Sequence, residues 1–211
     1  NIAFIHEWLL FSDKAKINLF EIINAIKKRK THANIRYPGL GVGGYCLTKD
    51  PLYGDYSKSK ILNFKKLQFP FSKLAIKTNS LMPNYTIDVI KNSLKNLDNK
   101  KIILYGVAYK NDVADTRQSP SKKIYDFLKK KKCKIISIDP LVKYWSEKNI
   151  KVGKFLGKFP KADAIIFCVP HYQIRNISYK SFVNNKIFIL DANNCLSNTQ
   201  KKDLKMNNFK L

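Results

Sequence analysis

Four short apolar runs in the second half of the chain, KIILYGVAY, CKIISIDP, ADAIIFCVPH and KIFILDANN, constrain its fold more than any other feature. Each is nearly continuous in aliphatic residues instead of alternating with polar ones, the pattern of a strand covered on both faces. Between them lie segments of helical character. SPSKKIYDFLKKKK has Ser119 placed as an N-cap and Pro120 at the first helical position; YWSEKN reads as a short helical piece and SYKSFVNN as another helix start. Strands alternating with helices build a parallel sheet, so an α/β, doubly wound, Rossmann-like domain is expected over residues 98–211. Ligands of such sheets sit beyond the carboxyl ends of the strands. That directs attention to residues 107–117, Asp139-Pro140, Pro170-His171 and residues 191–194. The polar end, 198–211, reads as a terminal helix or tail.

The first half has a different grammar. Residues 2–30 are helical in pattern, with Asp13 able to cap a helix whose apolar positions include Ile17, Phe20, Ile23 and Ile26. Residues 31–54 are rich in Gly and Pro and read as a loop, and a second helical region spans about 72–96, with Pro83 expected to kink or split it. The division predicted is a helical region, 1–97, followed by the α/β domain, 98–211. With 45% hydrophobic residues among 211, the chain can bury a core, and disorder is excluded as the default. No run of about 18 apolar residues offers a membrane span. The start, NIAFIHEWLLF, lacks a basic region and a cleavage site, so it reads as the interior of a helix and not as a signal peptide.

The four cysteines, Cys46, Cys133, Cys168 and Cys195, show neither a disulfide framework nor a zinc spacing. No metal is expected, Cys133 and Cys168 read as inert thiols, and a reducing, cytoplasmic compartment follows. The formal net charge of +25 invites a nucleic-acid reading. However, the lysines are spread along the chain among many Asn and Ile residues, and no nucleic-acid-binding signature accompanies them. Nucleic acid is therefore not the expected partner.

The remaining feature is PGLGVGGYCLTKDP, residues 38–51, in which Gly39, Gly41 and Gly44 satisfy G-x-G-x-x-G. A dinucleotide fingerprint needs a strand before it and a helix opening from its last glycines. Here YCLTKDP follows, and Pro51 cannot lie inside a helix. Two readings remain. One is a rigid loop whose bare backbone approaches a ligand and presents Cys46. The other is a buried cysteine in a Gly-Pro turn beside a solvated Lys-Asp pair. In the first, the Cys46 thiol attacks an aldehyde carbon, hydride loss leaves a thioester, and Asp50 orients the water that cleaves it.

This loop is similar to the catalytic-cysteine loop of the UDP-glucose/UDP-N-acetylhexosamine 6-dehydrogenase family. The resemblance extends, in the family's order, through NIAFIHE, AIKTNSLMP, GVAYKNDVADTRQSPS and IDPLV. It implies oxidation of the C6 alcohol of a UDP-sugar to the uronate, in two steps that use NAD. It assigns Cys46 as nucleophile and Asp50 as the acid assisting water. Ile35, Arg36, Tyr37, Pro38, Gly39 and Gly43 become the loop that wraps the substrate, Lys110 a substrate lysine, and Lys49 and Arg117 cofactor contacts. His32 stands near the place where a partner subunit's basic residue reaches the substrate. Family members dimerise through the central helix, which implies a homodimer.

Departures accompany the match. The resemblance covers the family's central and C-terminal regions, and its N-terminal NAD-binding Rossmann domain has no counterpart in this sequence. His6 stands where the family usually has Asn, and Asn193 where many members have a substrate-binding Arg. Tyr45 and Lys49 tilt the substrate towards UDP-glucose. The leading expectation is thus part of a nucleotide-sugar dehydrogenase, inactive alone. The rival is a non-catalytic remnant that binds a nucleotide-sugar or a partner subunit.

Overall fold

The computed structural model describes residues 1–64, 66–154, 159–177 and 187–204, and the backbone of 209–210. Its centre is a five-stranded, all-parallel sheet of β1 (Lys101–Tyr105), β2 (Lys134–Ile138), β5 (Ala164–Phe167), β6 (Phe188–Asp191) and β7 (Phe209–Lys210). Their spatial order is β2-β1-β5-β6-β7. The four apolar runs are four of these strands, and β1, β5 and β6 are buried almost throughout because each has covered faces. Alternate residues serve the two sides. Ile102, Leu104, Ile166 and Leu190 join one core cluster with Ile124 and Leu128 of α5 (Ser121–Lys130) and Ile87 and Ile90 of α4 (Pro70–Ser93). Ile103, Tyr105, Ile165 and Ile189 face the other side, with Ile174 of α6 (Tyr172–Arg175) and Leu204 of α7 (Asn198–Leu204). The strand order reverses between β1 and β5, which places the topological switch point, and the ligand crevice expected of it, at their carboxyl ends.

Several local expectations are corrected. The first helices are α1 (Ile2–Lys14) and α2 (Leu19–Lys27), and Asp13 falls in the last turn of α1. The cap of α2 is Asn18, whose Oδ1 accepts the Phe20 amide at 3.1 Å. α4 is one continuous helix of 24 residues with Pro83 inside it, so of the kink or split expected there the split does not occur. Pro83 is buried, and neighbouring Met82 and Thr86 bury with it, so packing offsets the roughly 3 kcal/mol cost of an interior proline. YWSEKN is not simply helical: Tyr144–Trp145 (β3) pairs antiparallel with Ile150–Lys151 (β4) around a 3-10 turn at Ser146–Lys148. The chain end adds β7 to the sheet after α7. The helix start expected at SYKSFVNN lies outside the described residues.

The loop of residues 31–54 is largely irregular, with 3-10 turns at Lys30–His32 and Asp50–Leu52, and α3 (Tyr53–Lys60) opens at its end. It is not loose. Leu40 is fully buried in the same cluster as the sheet, so the loop threads the core between the helices and the strands. Cys168 and Cys195 are buried and Cys133 half-buried, while Cys46 is exposed. Burial pushes the Cys168 thiol up to about 12 and raises that of Cys133. Among the described residues no helix is long and apolar enough to cross a membrane.

Candidate functional site

The carboxyl rim of the sheet is organised by one buried aspartate. Asp139, just past β2, accepts the Val107 and Ala108 amides at 2.9 and 3.1 Å on Oδ2 and the Leu141 and Val142 amides at 2.9 and 3.0 Å on Oδ1. His171, fully buried after β5, completes the set with Nε2 at 3.2 Å from Oδ2. Its Nδ1 accepts the Asp112 amide at 3.0 Å, which assigns the ring proton to Nε2, aimed at Asp139. Burial works against the Asp139 charge, but His171 and the backbone amides outweigh it, and the carboxyl is held below the usual carboxylate range. Asp112 in turn accepts the Tyr172 amide at 2.9 Å. The loop after β1 is therefore fastened to the ends of β2 and β5, with Lys110 projecting exposed from its crest. Gly106 turns the chain there at φ +91°, where an added Cβ would lie 2.5 Å from Val169. Ser119 and Ser121 at the start of α5 return hydroxyl bonds to the Ala108 and Gly106 carbonyls, at 3.1 and 2.9 Å.

The cysteine loop docks on this rim. The Gly44 amide donates to the Arg117 carbonyl at 2.9 Å. An added Cβ on Gly43 would stand 2.6 Å from the Gln118 carbonyl and 2.7 Å from Tyr109 Cβ, and one on Gly44 2.9 Å from the Tyr109 ring. These glycines let loop meet loop, so their bareness serves the chain's own packing, not only a ligand. From Gly44 the chain turns through Cys46, whose carbonyl accepts the Lys49 and Asp50 amides at 3.0 and 2.9 Å. The turn holds the exposed Cys46 beside Asp50, whose carboxyl the thiol helps to keep ionised.

Lys49 sits behind that carboxylate. Its Nζ donates to Asp50 Oδ1 at 2.7 Å and to the Tyr53 hydroxyl at 2.5 Å, and it lies 4.4 Å from the Tyr45 ring centroid and 4.8 Å from that of Tyr53. Its ammonium holds the Asp50 carboxyl below the ordinary range, and Tyr53 and the Cys46 thiol add smaller effects in the same direction. Arg117 forks onto Asp115 through Nε and Nη2, and its guanidinium carbon stands 5.9 Å from the Tyr45 ring. Cys46, Lys49, Asp50 and Arg117, proposed from sequence, are thus brought together, with Lys110 on the adjoining loop.

The other candidates lie elsewhere. Tyr37 stacks on Phe20 of α2 at 6.1 Å and bonds Asn24; Ile35 packs in the same small cluster. The Arg36 amide bonds the Asn1 side chain. His32 faces its neighbour Thr31 through Nδ1 at 2.9 Å. Pro38 and Gly39 line a cavity of about 290 Å³ between α1, α4 and the end of β6, together with Tyr85, Asp191 and Asn194. Asn193 donates to the Cys168 carbonyl at 2.9 Å. Sequence reasoning missed Tyr53, whose spacing announces nothing, and reached Tyr109 and Asp115 only as members of the loop after the first strand. It pointed to Asp139 and His171 only by their place at strand ends.

The fold and this site define a doubly wound α/β protein with an exposed cysteine carried on a separate loop clamped over the rim of its sheet. The central-domain profile of the UDP-glucose/GDP-mannose dehydrogenase family matches residues 1–80, and the UDP-binding-domain profile of the same family matches residues 103–198. The chain belongs to that family. It is 32% identical over 203 residues to a UDP-N-acetyl-D-mannosamine dehydrogenase of Methanocaldococcus jannaschii, covering 93% of this chain and 44% of the relative. The solved UDP-D-ManNAc dehydrogenase of Pyrococcus horikoshii superposes with TM-score 0.74 at 26% identity, over 93% of this chain and 45% of that one. An NDP-N-acetyl-D-galactosaminuronic acid dehydrogenase from Methanosarcina mazei superposes at 0.82 and shares the fold at 24% identity, over 99% of this chain and 46% of that one. The chain spans somewhat less than half the length of these relatives.

Proposed function

We propose that this chain is the substrate-binding and cysteine-bearing part of a nucleotide-sugar 6-dehydrogenase. The observation that carries the reading is the exposed Cys46 thiol, set on a tight turn beside an ionised Asp50 and held against the carboxyl rim of a parallel sheet. In this reading Cys46 adds to a C6 aldehyde, forming the carbon–sulfur bond while the thiol proton passes to the oxygen. After oxidation of the adduct to a thioester, Asp50 takes a proton from the attacking water, and the thiol leaves as the uronate forms. Lys110 and the loop of Ile35, Arg36, Tyr37, Pro38, Gly39 and Gly43 hold the nucleotide-sugar. Residues 1–97 serve dimerisation, a role supported by the exposed aromatic ladder Phe4, Trp8 and Phe11 on α1. His32 would belong to that interface, and four unpaired cysteines suit a reducing cytoplasm.

NAD would supply the hydride acceptor for both oxidations. Arg117 fits a contact to it, exposed beside the cysteine turn. Lys49 fits less well, since Asp50, Tyr53 and two rings already employ its ammonium. The relatives reported above are named for N-acetylhexosamine nucleotides, against the tilt to UDP-glucose drawn from Tyr45 and Lys49. A UDP-N-acetylhexosamine is therefore the substrate proposed.

A binding-only role is favoured by one observation, the commitment of the Asn193 side chain to the Cys168 carbonyl where many relatives place a substrate arginine. The two readings part in one experiment. The chain is mixed with a UDP-hexose 6-aldehyde carrying carbon-13 at C6, and the thiohemiacetal is read without reduction from its carbon resonance. A stoichiometric adduct on Cys46 that is abolished by Cys46→Ala is expected. Calorimetric binding of UDP without any adduct would leave the binding-only role, and neither adduct nor binding would end the proposal.

A further inference from the structure

The cysteine loop is held from its other side by a helix. Asn79, inside α4, makes two side-chain bonds to one loop residue: its Oδ1 accepts the Val42 amide at 2.7 Å and its Nδ2 donates to the Val42 carbonyl at 2.8 Å. This is the pairing one strand gives another, supplied here by a single amide side chain. Two neighbouring features make room for it. Pro83 stands four residues beyond Asn79 and has no N–H, so the Asn79 carbonyl loses its regular helical donor. Gly41, at φ +107°, closes on that carbonyl, and an added Cβ there would lie 3.1 Å both from it and from Asn79 Oδ1. The proline in the helix and the glycine before Val42 are thus fitted to one asparagine.

We propose that Asn79 is a positioning residue for Cys46. The two-bond clamp on Val42 ties the loop to α4 just ahead of the cysteine turn. Gly43 and Gly44 then fix it to the sheet's rim, and the cysteine turn follows within two residues. Clamp and rim thus hold the segment ahead of the turn from two sides. The role rests on Cys46 being the reactive group, but the clamp is tested without substrate, so its failure is separable from failure of that reading.

Amide hydrogen exchange of the 211-residue chain is compared with Asn79→Ala and Asn79→Asp. In the alanine variant Val42 should lose protection by at least about tenfold, the factor two ordinary hydrogen bonds supply. The loss should spread to the Gly44, Lys49 and Asp50 amides, which define the turn, and leave α5 unchanged. Loss confined to Val42 would reduce Asn79 to a local prop and overturn the proposal. Asn79→Asp adds a pH profile. A protonated carboxyl can both accept from the Val42 amide and donate to its carbonyl, whereas a carboxylate faces that carbonyl with charge. Protection relative to the parent chain should therefore recover as pH falls below about 4. If the alanine variant does not fold, this profile decides: recovery supports the clamp and a flat profile refutes it.

Discussion

Asp139 and Asp50 both keep their carboxyls ionised below the ordinary range, and they do so by opposite constructions. Asp139 is buried, with four backbone amides and the His171 ring spending both its oxygens. Asp50 is more than a third exposed and relies on Lys49, itself pinned by Tyr53. A carboxylate with every lone pair engaged in backbone bonds is architecture: it shapes the loop that bears Lys110 and has nothing left for chemistry. A carboxylate held from one side by a lysine, with a thiol on another and solvent beyond, keeps an oxygen free to take a proton. The difference separates a rim that positions from a turn whose carboxylate stays open for the proposed chemistry.

The comparison breaks most visibly at Asp139. Replacing it with Ala should strand the buried Val107 and Ala108 amides and cost roughly 3–5 kcal/mol, measured by denaturant unfolding. Its pH signature has a definite sign. The folded carboxyl is depressed below the unfolded value of about 3.9, so its contribution is present above that value and is lost as pH falls through the folded one. Asp139→Asn should flatten the acid limb of the stability profile below about pH 4. An unchanged limb would mean that the rim does not depend on the charge.

A smaller effect is expected where the two regions meet. Gly43→Ala puts a methyl 2.6 Å from the Gln118 carbonyl and 2.7 Å from Tyr109 Cβ, atoms of a fastened loop with little freedom to yield. The loop must lift or the rim must bend, at roughly 1–3 kcal/mol. Thermal unfolding should register the cost, and the Gly44 amide bond to Arg117 should lose exchange protection. If Gly43→Ala were neutral, the glycines would be serving a ligand alone.

How much of this could be read beforehand follows from what each feature depends on. The sheet was legible because KIILY, AIIF and FILD must be covered on both faces, a constraint written in consecutive residues. The cysteine turn was legible through its spacing to Asp50 and its resemblance. Two-residue strands such as β3 and β4 were not, since nothing in YW or IK differs from helix or loop until Trp145 finds the core. The helix cap fell to Asn18 and not Asp13 because the chain turns at Lys16, at φ 56°, a change of direction that apolar periodicity does not encode. The purpose of Gly43 and Gly44 was legible only in part for a similar reason: bare backbone announces a close approach without naming what approaches. Tyr109, some 65 residues away, is what does.

The smallest effect on stability should come at the reactive turn. Cys46 and Asp50 lie open to solvent, and removing them strands no buried group, so Cys46→Ser and Asp50→Asn should leave the thermal midpoint within about 2 °C of the parent. Asp50→Asn should nevertheless change the chemistry. In the proposed reaction Asp50 activates the water, so without the carboxylate the acyl adduct at Cys46 should accumulate. Mass spectrometry after exposure to an activated uronyl thioester donor should show a long-lived Cys46 acyl species in Asp50→Asn and a transient one in the parent. Equal lifetimes would take Asp50 out of the chemistry and make it, like Asp139, a piece of architecture.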